Sequence, residues 1–125
     1  MVLKIGKQGC PICNESIGEK LIRDFLTKSN INFNTQYKFT NCKDTRELPF
    51  DFYLSDYNTC IEYNGIQHYK PVEYFGGSAS LLSQQNRDKI KSKYCNENNI
   101  NLIIIKYTEN LSKSLKEIIQ CIYSN

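Results

Sequence analysis

The stretch Leu48–Tyr69, LPFDFYLSDYNTCIEYNGIQHY, constrains this chain more than any other. It reads as two short strands. Leu48–Ser55 is aromatic-rich and ends at a polar break, and Cys60–Asn64 stops at Gly65. Each run carries one acidic residue, Asp51 in the first and Glu62 in the second. Acidic side chains are poor strand formers and are seldom buried without a partner. Two carboxylates brought together on adjacent strands repel each other unless a proton or a cation lies between them. A divalent metal held by oxygen ligands answers that requirement. Asp51, between Phe50 and Phe52, is costly unless it serves a site. Glu62 beside Ile61 also fits a solvated strand position.

The flanking sequence supplies a scaffold. Ser16-Ile17-Gly18-Glu19 is a capping box, and Ile17, Leu21, Ile22, Phe25 and Leu26 follow at helical spacing to about Asn30. Asn32–Thr40 alternates, with Phe33, Tyr37 and Phe39 inward, and Asn41–Glu47 is a polar turn. After the central strands, Gly65–Ser80 is a loop rich in Gly, Pro and aromatics. Leu81 to about Asn98 reads as a helix with a charged face. Asn101–Tyr107 is apolar enough for a strand buried on both faces. Leu111, Leu115, Ile118, Ile119 and Ile122 mark a closing amphipathic helix. The order α-β-β-β-α-β-α predicts an α/β fold: a three-layer core with a mixed four-stranded sheet flanked by helices. Its first three strands form a meander and the fourth arrives by a helical crossover.

A length of 125 residues predicts one domain. The division expected is a lead-in over 1–15 and the main domain over 16–125. Net charge is +3, compatible with a polyanion partner without demanding one. No signal peptide opens the chain and no apolar run reaches membrane-spanning length, so no membrane partner is expected. The six cysteines then read as reduced and the protein as cytoplasmic. Cys60 and Cys121 lie in apolar patterns and read as core. Only Cys10 and Cys13 have metal-ligand spacing. A C-x-x-C knuckle is half of a tetrahedral Zn²⁺ site, and the chain upstream lacks the other half. The pair either borrows ligands elsewhere, from Cys42, His68 or a second chain, or holds no metal.

The element order and four motifs together resemble the PD-(D/E)XK nuclease superfamily. The branch is the one that includes the very-short-patch repair endonuclease and phage- and intron-associated homing endonucleases. Ser16-Ile17-Gly18-Glu19 resembles its S-x-x-E first helix, and Leu48–Tyr53 its metal-binding Asp strand. Ile61–His68 resembles its E-x-D-G-x-Q-H element, and Arg87-Asp88-Lys89-Ile90-Lys91 its R-D-x-x-K helix. The likeness runs from Ser16 to Tyr107, with Asn64 standing where most relatives have Asp. Gly9–Cys13 resembles the last fragment of a zinc segment that precedes the core in larger relatives. The resemblance implies a restriction-endonuclease-like fold and a Mg²⁺- or Mn²⁺-dependent DNA endonuclease, phage- or virus-encoded and acting in the host cell. A homodimer would serve double-strand cutting.

For the residues, the resemblance places Asp51 and Glu62 on the metal and Glu19 as a third carboxylate beside them. Position three of a capping box explains Glu19 equally well, and one carboxylate does not easily serve both. His68, the only histidine, reads either as a general base or as a hydrogen-bonded structural residue. Gln67 precedes it; if the strand continues, only one of the two faces the metal. Asp88 and Lys91 share a helix face and read either as a surface ion pair or as parts of the site, Asp88 with Asn64 in a supporting role. Lys70, Arg87 and Lys91 are the candidate DNA contacts, and the loop Lys70–Ser80 is the candidate for reaching a groove. Two other classes stay open: a nucleic-acid-binding module on the same fold without activity, and a zinc-dependent interaction domain centred on Cys10 and Cys13.

Overall fold

The structure is a computed structural model that describes residues 16–73 and 76–123. Its elements are α1 (Ile17–Lys28), β1 (Asn34–Lys43), β2 (Glu47–Leu54), β3 (Thr59–Asn64), α2 (Gly77–Glu97), β4 (Asn101–Lys106) and α3 (Leu111–Tyr123), in the expected order. Short 3₁₀ turns at Ser55–Tyr57 and Ile66–His68 follow β2 and β3. The sheet order is β1-β2-β3-β4, with the first three antiparallel and β4 parallel to β3 across the α2 crossover. Cys10 and Cys13, and the lead-in as a whole, lie outside the described residues.

Each boundary has a local cause. Ser16 Oγ accepts the Glu19 N–H at 3.1 Å, and Glu19 Oε1 accepts the Ser16 N–H at 3.1 Å, closing the capping box. Asn30, Asn58 and Asn99 adopt left-handed backbone just after α1, just before β3 and just after α2. Asparagine is among the residues that tolerate that conformation best.

Two apolar clusters sandwich the sheet. On one face Ile22 and Leu26 of α1 and Leu115, Ile118 and Ile122 of α3 pack on Phe52, Leu54, Ile61 and Ile105. On the other, Cys95 of α2 packs on Leu48, Phe50, Cys42 and Cys60. The result is the expected three layers. The hairpin turn is shorter than the sequence implies, because β1 runs to Lys43 and β2 starts at Glu47. The stretch read as a loop to Ser80 already contains a 3₁₀ turn and the first turn of α2.

Two expectations are corrected. β4 is not buried on both faces: Ile104 is 38% exposed, because β4 is an edge strand that only β3 borders. Cys121 is exposed rather than core, since α3 turns Leu115, Ile118 and Ile122 inward and leaves Cys121 off that stripe.

One irregularity positions everything that follows. Leu48 and Phe50 belong to the α2-side cluster, whereas Phe52 and Leu54 belong to the opposite one. A regular strand keeps alternate residues on one face, so the pleat breaks between Phe50 and Phe52, and Asp51 occupies the break. The β2–β3 register runs Leu54↔Thr59, Tyr53↔Cys60, Phe52↔Ile61 and goes no further. Pro49, which has no N–H to give a ladder, lies just past that point. The sheet forks there.

Candidate active site

Continuing the register by one step sets Asp51 opposite Glu62. At that step side chains replace the main-chain ladder. The Asp51 N–H donates to Glu62 Oε2 at 2.8 Å, and the Tyr63 N–H donates to Asp51 Oδ2 at 2.8 Å. Each carboxylate is thus fixed by an amide of the strand pair. Lys91 reaches Glu62 Oε1 from α2 at 2.8 Å, with both side chains nearly buried, and its ammonium lies 5.1 Å from the Phe50 ring centroid.

The fork opens into a cavity of about 320 Å³ lined from five elements, among them Glu19, Gln36, Asp51, Glu62, Asn64 and Lys91. Glu19 completes the capping box and also lines the cavity beside Asp51, whose carboxyl it pushes up. The expected choice between those roles does not arise, because the α1 N-terminus docks directly beside the fork. Gly18 permits this approach: a Cβ there would overlap the Tyr63 ring. Burial, the Glu62 charge and the contact with Glu19 together push the Asp51 carboxyl from 3.8 to about 9, against the opposing pull of the Tyr63 N–H. Three carboxyl groups line this cavity with one ammonium among them, a surplus that a proton or a cation would relieve.

Beyond β3 the chain turns rather than continuing, so the premise that only Gln67 or His68 faces the site fails, and both line the cavity. Gln67 folds back over Gly65, where a Cβ would lie 2.6 Å from its Oε1. His68 Nδ1 pairs with Asp88 Oδ2 at 2.9 Å, leaving Nε2 as the ring nitrogen without a protein partner among the described residues. Burial raises the Asp88 carboxyl, but the hydrogen bond and charge of His68, with Gln84 and Lys91, bring it below the usual range. Asp88 and Lys91 therefore do not form the surface pair their spacing allows. Asp88 turns to His68 and Lys91 to Glu62.

Lys91, expected as a DNA contact, is 9% exposed, lines the cavity and is paired with Glu62. Arg87 lines the cavity mouth and donates to Gln84 at 3.1 Å. Lys70 is exposed and does not line the cavity. Gln36 and Gln84 are the lining residues that sequence reasoning missed. Gln36 sits on β1 opposite Asp51 and bears no motif. Gln84 could have been found one helical turn before Asp88, to whose Oδ1 it donates at 3.1 Å.

Among the described residues, no three His, Cys, Asp or Glu side chains close round one point as a complete metal site. A magnesium-type ion does not need that, since it commonly keeps several waters and takes one or two carboxylates. Asp51 and Glu62 supply hard oxygens, and the neighbouring Asn64 Oδ1 is buried without a hydrogen-bond partner among the described residues. Its Nδ2 donates to the Tyr69 hydroxyl at 3.4 Å. This donor set fits a hydrated divalent ion held by Asp51 and Glu62, with Asn64 able to orient its water.

No family model matches the chain. It is 35% identical over 100 residues to uncharacterized protein 094L of Frog virus 3 (isolate Goorha), covering 76% of this chain and 64% of that protein. It is 40% identical over 62 residues to uncharacterized protein 307L of Invertebrate iridescent virus 6, covering 49% of this chain and 32% of that one. It is 42% identical over 66 residues to uncharacterized protein 033L of Invertebrate iridescent virus 3, covering 52% and 34%. The chain thus spans about a third of the length of two of these viral relatives and less than two thirds of the other. No helix among the described residues is long and apolar enough to cross a membrane.

Proposed function

We propose that the chain is a metal-dependent endonuclease that hydrolyses phosphodiester bonds in DNA. The observation that carries this reading is the surplus of carboxyl groups at the fork: Asp51, Glu62 and Glu19 line one cavity with a single ammonium.

Asp51 and Glu62 would hold Mg²⁺ or Mn²⁺, which supplies Lewis-acid polarisation of a phosphoryl oxygen and a more acidic water. The remaining work belongs to side chains. His68 Nε2 takes the proton of the attacking water, and Asp88 fixes the ring through Nδ1. Lys91 holds Glu62 in place and puts positive charge beside the fork, where negative charge develops on phosphate. Glu19 anchors α1 against Asp51 and closes that side. Arg87 at the mouth meets a flanking phosphate. One copy of this site suffices for nicking, and a homodimer would cut both strands. The virus-encoded relatives suit a substrate met inside an infected cell.

The test is supercoiled plasmid incubated with purified chain and Mg²⁺ or Mn²⁺. Relaxed or linear product is expected, lost with EDTA and in Asp51→Asn and Glu62→Gln. Intact plasmid with the native chain would overturn the reading.

A second reading is a binding module on the same scaffold without activity. The Lys91–Glu62 pair favours it, because an ammonium at 2.8 Å neutralises one of the two carboxylates. Calorimetry separates the two: DNA binding without any Mn²⁺ heat would select the module.

A further inference from the structure

We propose that a groove leading away from the fork along the β1–β2 hairpin is the track for the sugar-phosphate backbone of the bound nucleic-acid strand, with Gln36 at its start and Lys38 and Arg46 at its far end. The inference rests on the proposed function in taking the ligand to be nucleic acid.

The first observation is continuity. A second cavity, of about 580 Å³, is lined by Lys38, Arg46 and Arg87. It shares Leu48, Pro49 and Arg87 with the carboxylate cavity, so the two adjoin with Arg87 bordering both. Asp44 and Glu47 also line it, yet none of the three cations is ion-paired among the described residues. Among the described residues, Arg87 is held only by Gln84. Unpaired guanidinium and ammonium groups set along one groove suit a succession of phosphates.

The second observation is backbone strain at the point where the groove meets the fork. Four described non-glycine residues have positive φ; three are asparagines at turns, and the fourth is Gln36, at φ 50 inside a strand. Glutamine gains nothing from that conformation, and such outliers gather at functional sites. Gln36 lies opposite Asp51, since Thr35 pairs with Phe52 and Tyr37 with Phe50. The kink brings its side chain to the rim of the carboxylate cavity. An amide there can donate to a phosphate oxygen. Gln36 and Lys38, two residues apart on β1, thus contact successive parts of the groove.

The experiment is fluorescence anisotropy of the full chain with a labelled mixed-sequence DNA duplex, in EDTA so that no cleavage intervenes, across a salt series. Lys38→Gln/Arg46→Gln is expected to bind more weakly and to flatten the slope of log affinity against log salt by about 1.8. Both residues are exposed, so the fold should survive; circular dichroism checks it. Gln36→Gly is expected to melt at higher temperature, because glycine adopts positive φ freely, and to bind the duplex less tightly. Native affinity and slope in the double variant, or native affinity in Gln36→Gly, overturns the track. A chain that never cleaves but whose affinity depends on Lys38 and Arg46 keeps the track and removes the nuclease reading.

Discussion

Asp51 and Glu62 face each other across β2 and β3 and trade side chain for main chain: the Asp51 amide donates to Glu62, and the next amide on β3, Tyr63, donates to Asp51. Two amides freed by the fork are satisfied by carboxylates, so the unpaired end of the sheet carries no buried orphan N–H at this point. The same bonds lock both carboxylates at the cavity. Opening the sheet and building the site are one structural event.

Removal of metal should make the fold sensitive to rising pH through Asp51. Its folded value near 9 lies above its ordinary 3.8, so the folded state holds a proton that the unfolded state has lost between those limits. The stability tied to that proton is complete below about pH 4 and is lost as pH rises towards 9, at no more than about 1.4 kcal/mol per pH unit. In EDTA the melting temperature should therefore fall over this window. Asp51→Asn should flatten the slope, and Mg²⁺ or Mn²⁺ should restore the native chain most at high pH. A native slope in Asp51→Asn would detach the effect from this carboxyl.

Breaking the Lys91–Glu62 pair from one side should cost more than removing both charges. Lys91→Met leaves a nearly buried carboxylate facing apolar surface, a loss of about 3–5 kcal/mol in comparable pairs. Glu62→Gln/Lys91→Met removes both charges and should recover most of that stability while staying inactive. Urea melts of the native chain, both single variants and the double variant give the coupling directly. Equal stability of Lys91→Met and the double variant would mean that the pair is solvated.

Much of this was legible in the sequence, and the misses share a cause. The capping box at Ser16 and the strand Asp at position 51 depend on residues within a few positions of one another, where spacing carries the information. What spacing could not carry was partner choice. Asp88 and Lys91 are one helical turn apart, yet each chose a residue 20 or more positions away, His68 and Glu62. The same holds for β4, whose apolar run says that it can be buried but not that it lies at an edge. Gln36 is illegible for the opposite reason: its strain belongs to the sheet fork, and only Pro49 hinted locally that a ladder ends there.

His68 and Asp88 should separate in their kinetic effects. If His68 Nε2 takes the proton from water, His68→Ala should lower kcat by roughly 10²–10⁴-fold with little change in KM. Asp88→Asn keeps a ring partner but loses the charge, so its loss should be smaller and in the same parameter. Because the Asp88 carboxyl is held below its usual range, it stabilises the fold above about pH 4 and that contribution fades on acidification. Asp88→Asn should therefore also weaken the acid limb of a melting profile. A native kcat in His68→Ala would return His68 to a purely structural role.

Gly18→Ala tests how tightly α1 must dock for Asp51 to be held. In a helix interior alanine is favoured over glycine by up to about 1 kcal/mol. Here the added methyl meets the ring of Tyr63, and overpacking of that kind costs about 1–3 kcal/mol. The second effect should win, because Gly18 is buried and the ring borders the core cluster under α1. Retreat of α1 carries Glu19 away from Asp51, and displacement of Tyr63 disturbs the amide that holds the Asp51 carboxylate. The variant should melt several degrees lower and cleave more slowly, and Mn²⁺ should raise its melting temperature less than it raises the native one. Tyr63→Val in the same background makes room for the methyl and should return part of the lost stability. If Gly18→Ala instead melts higher with native cleavage, helix propensity has won and α1 does not need its present close approach to the fork.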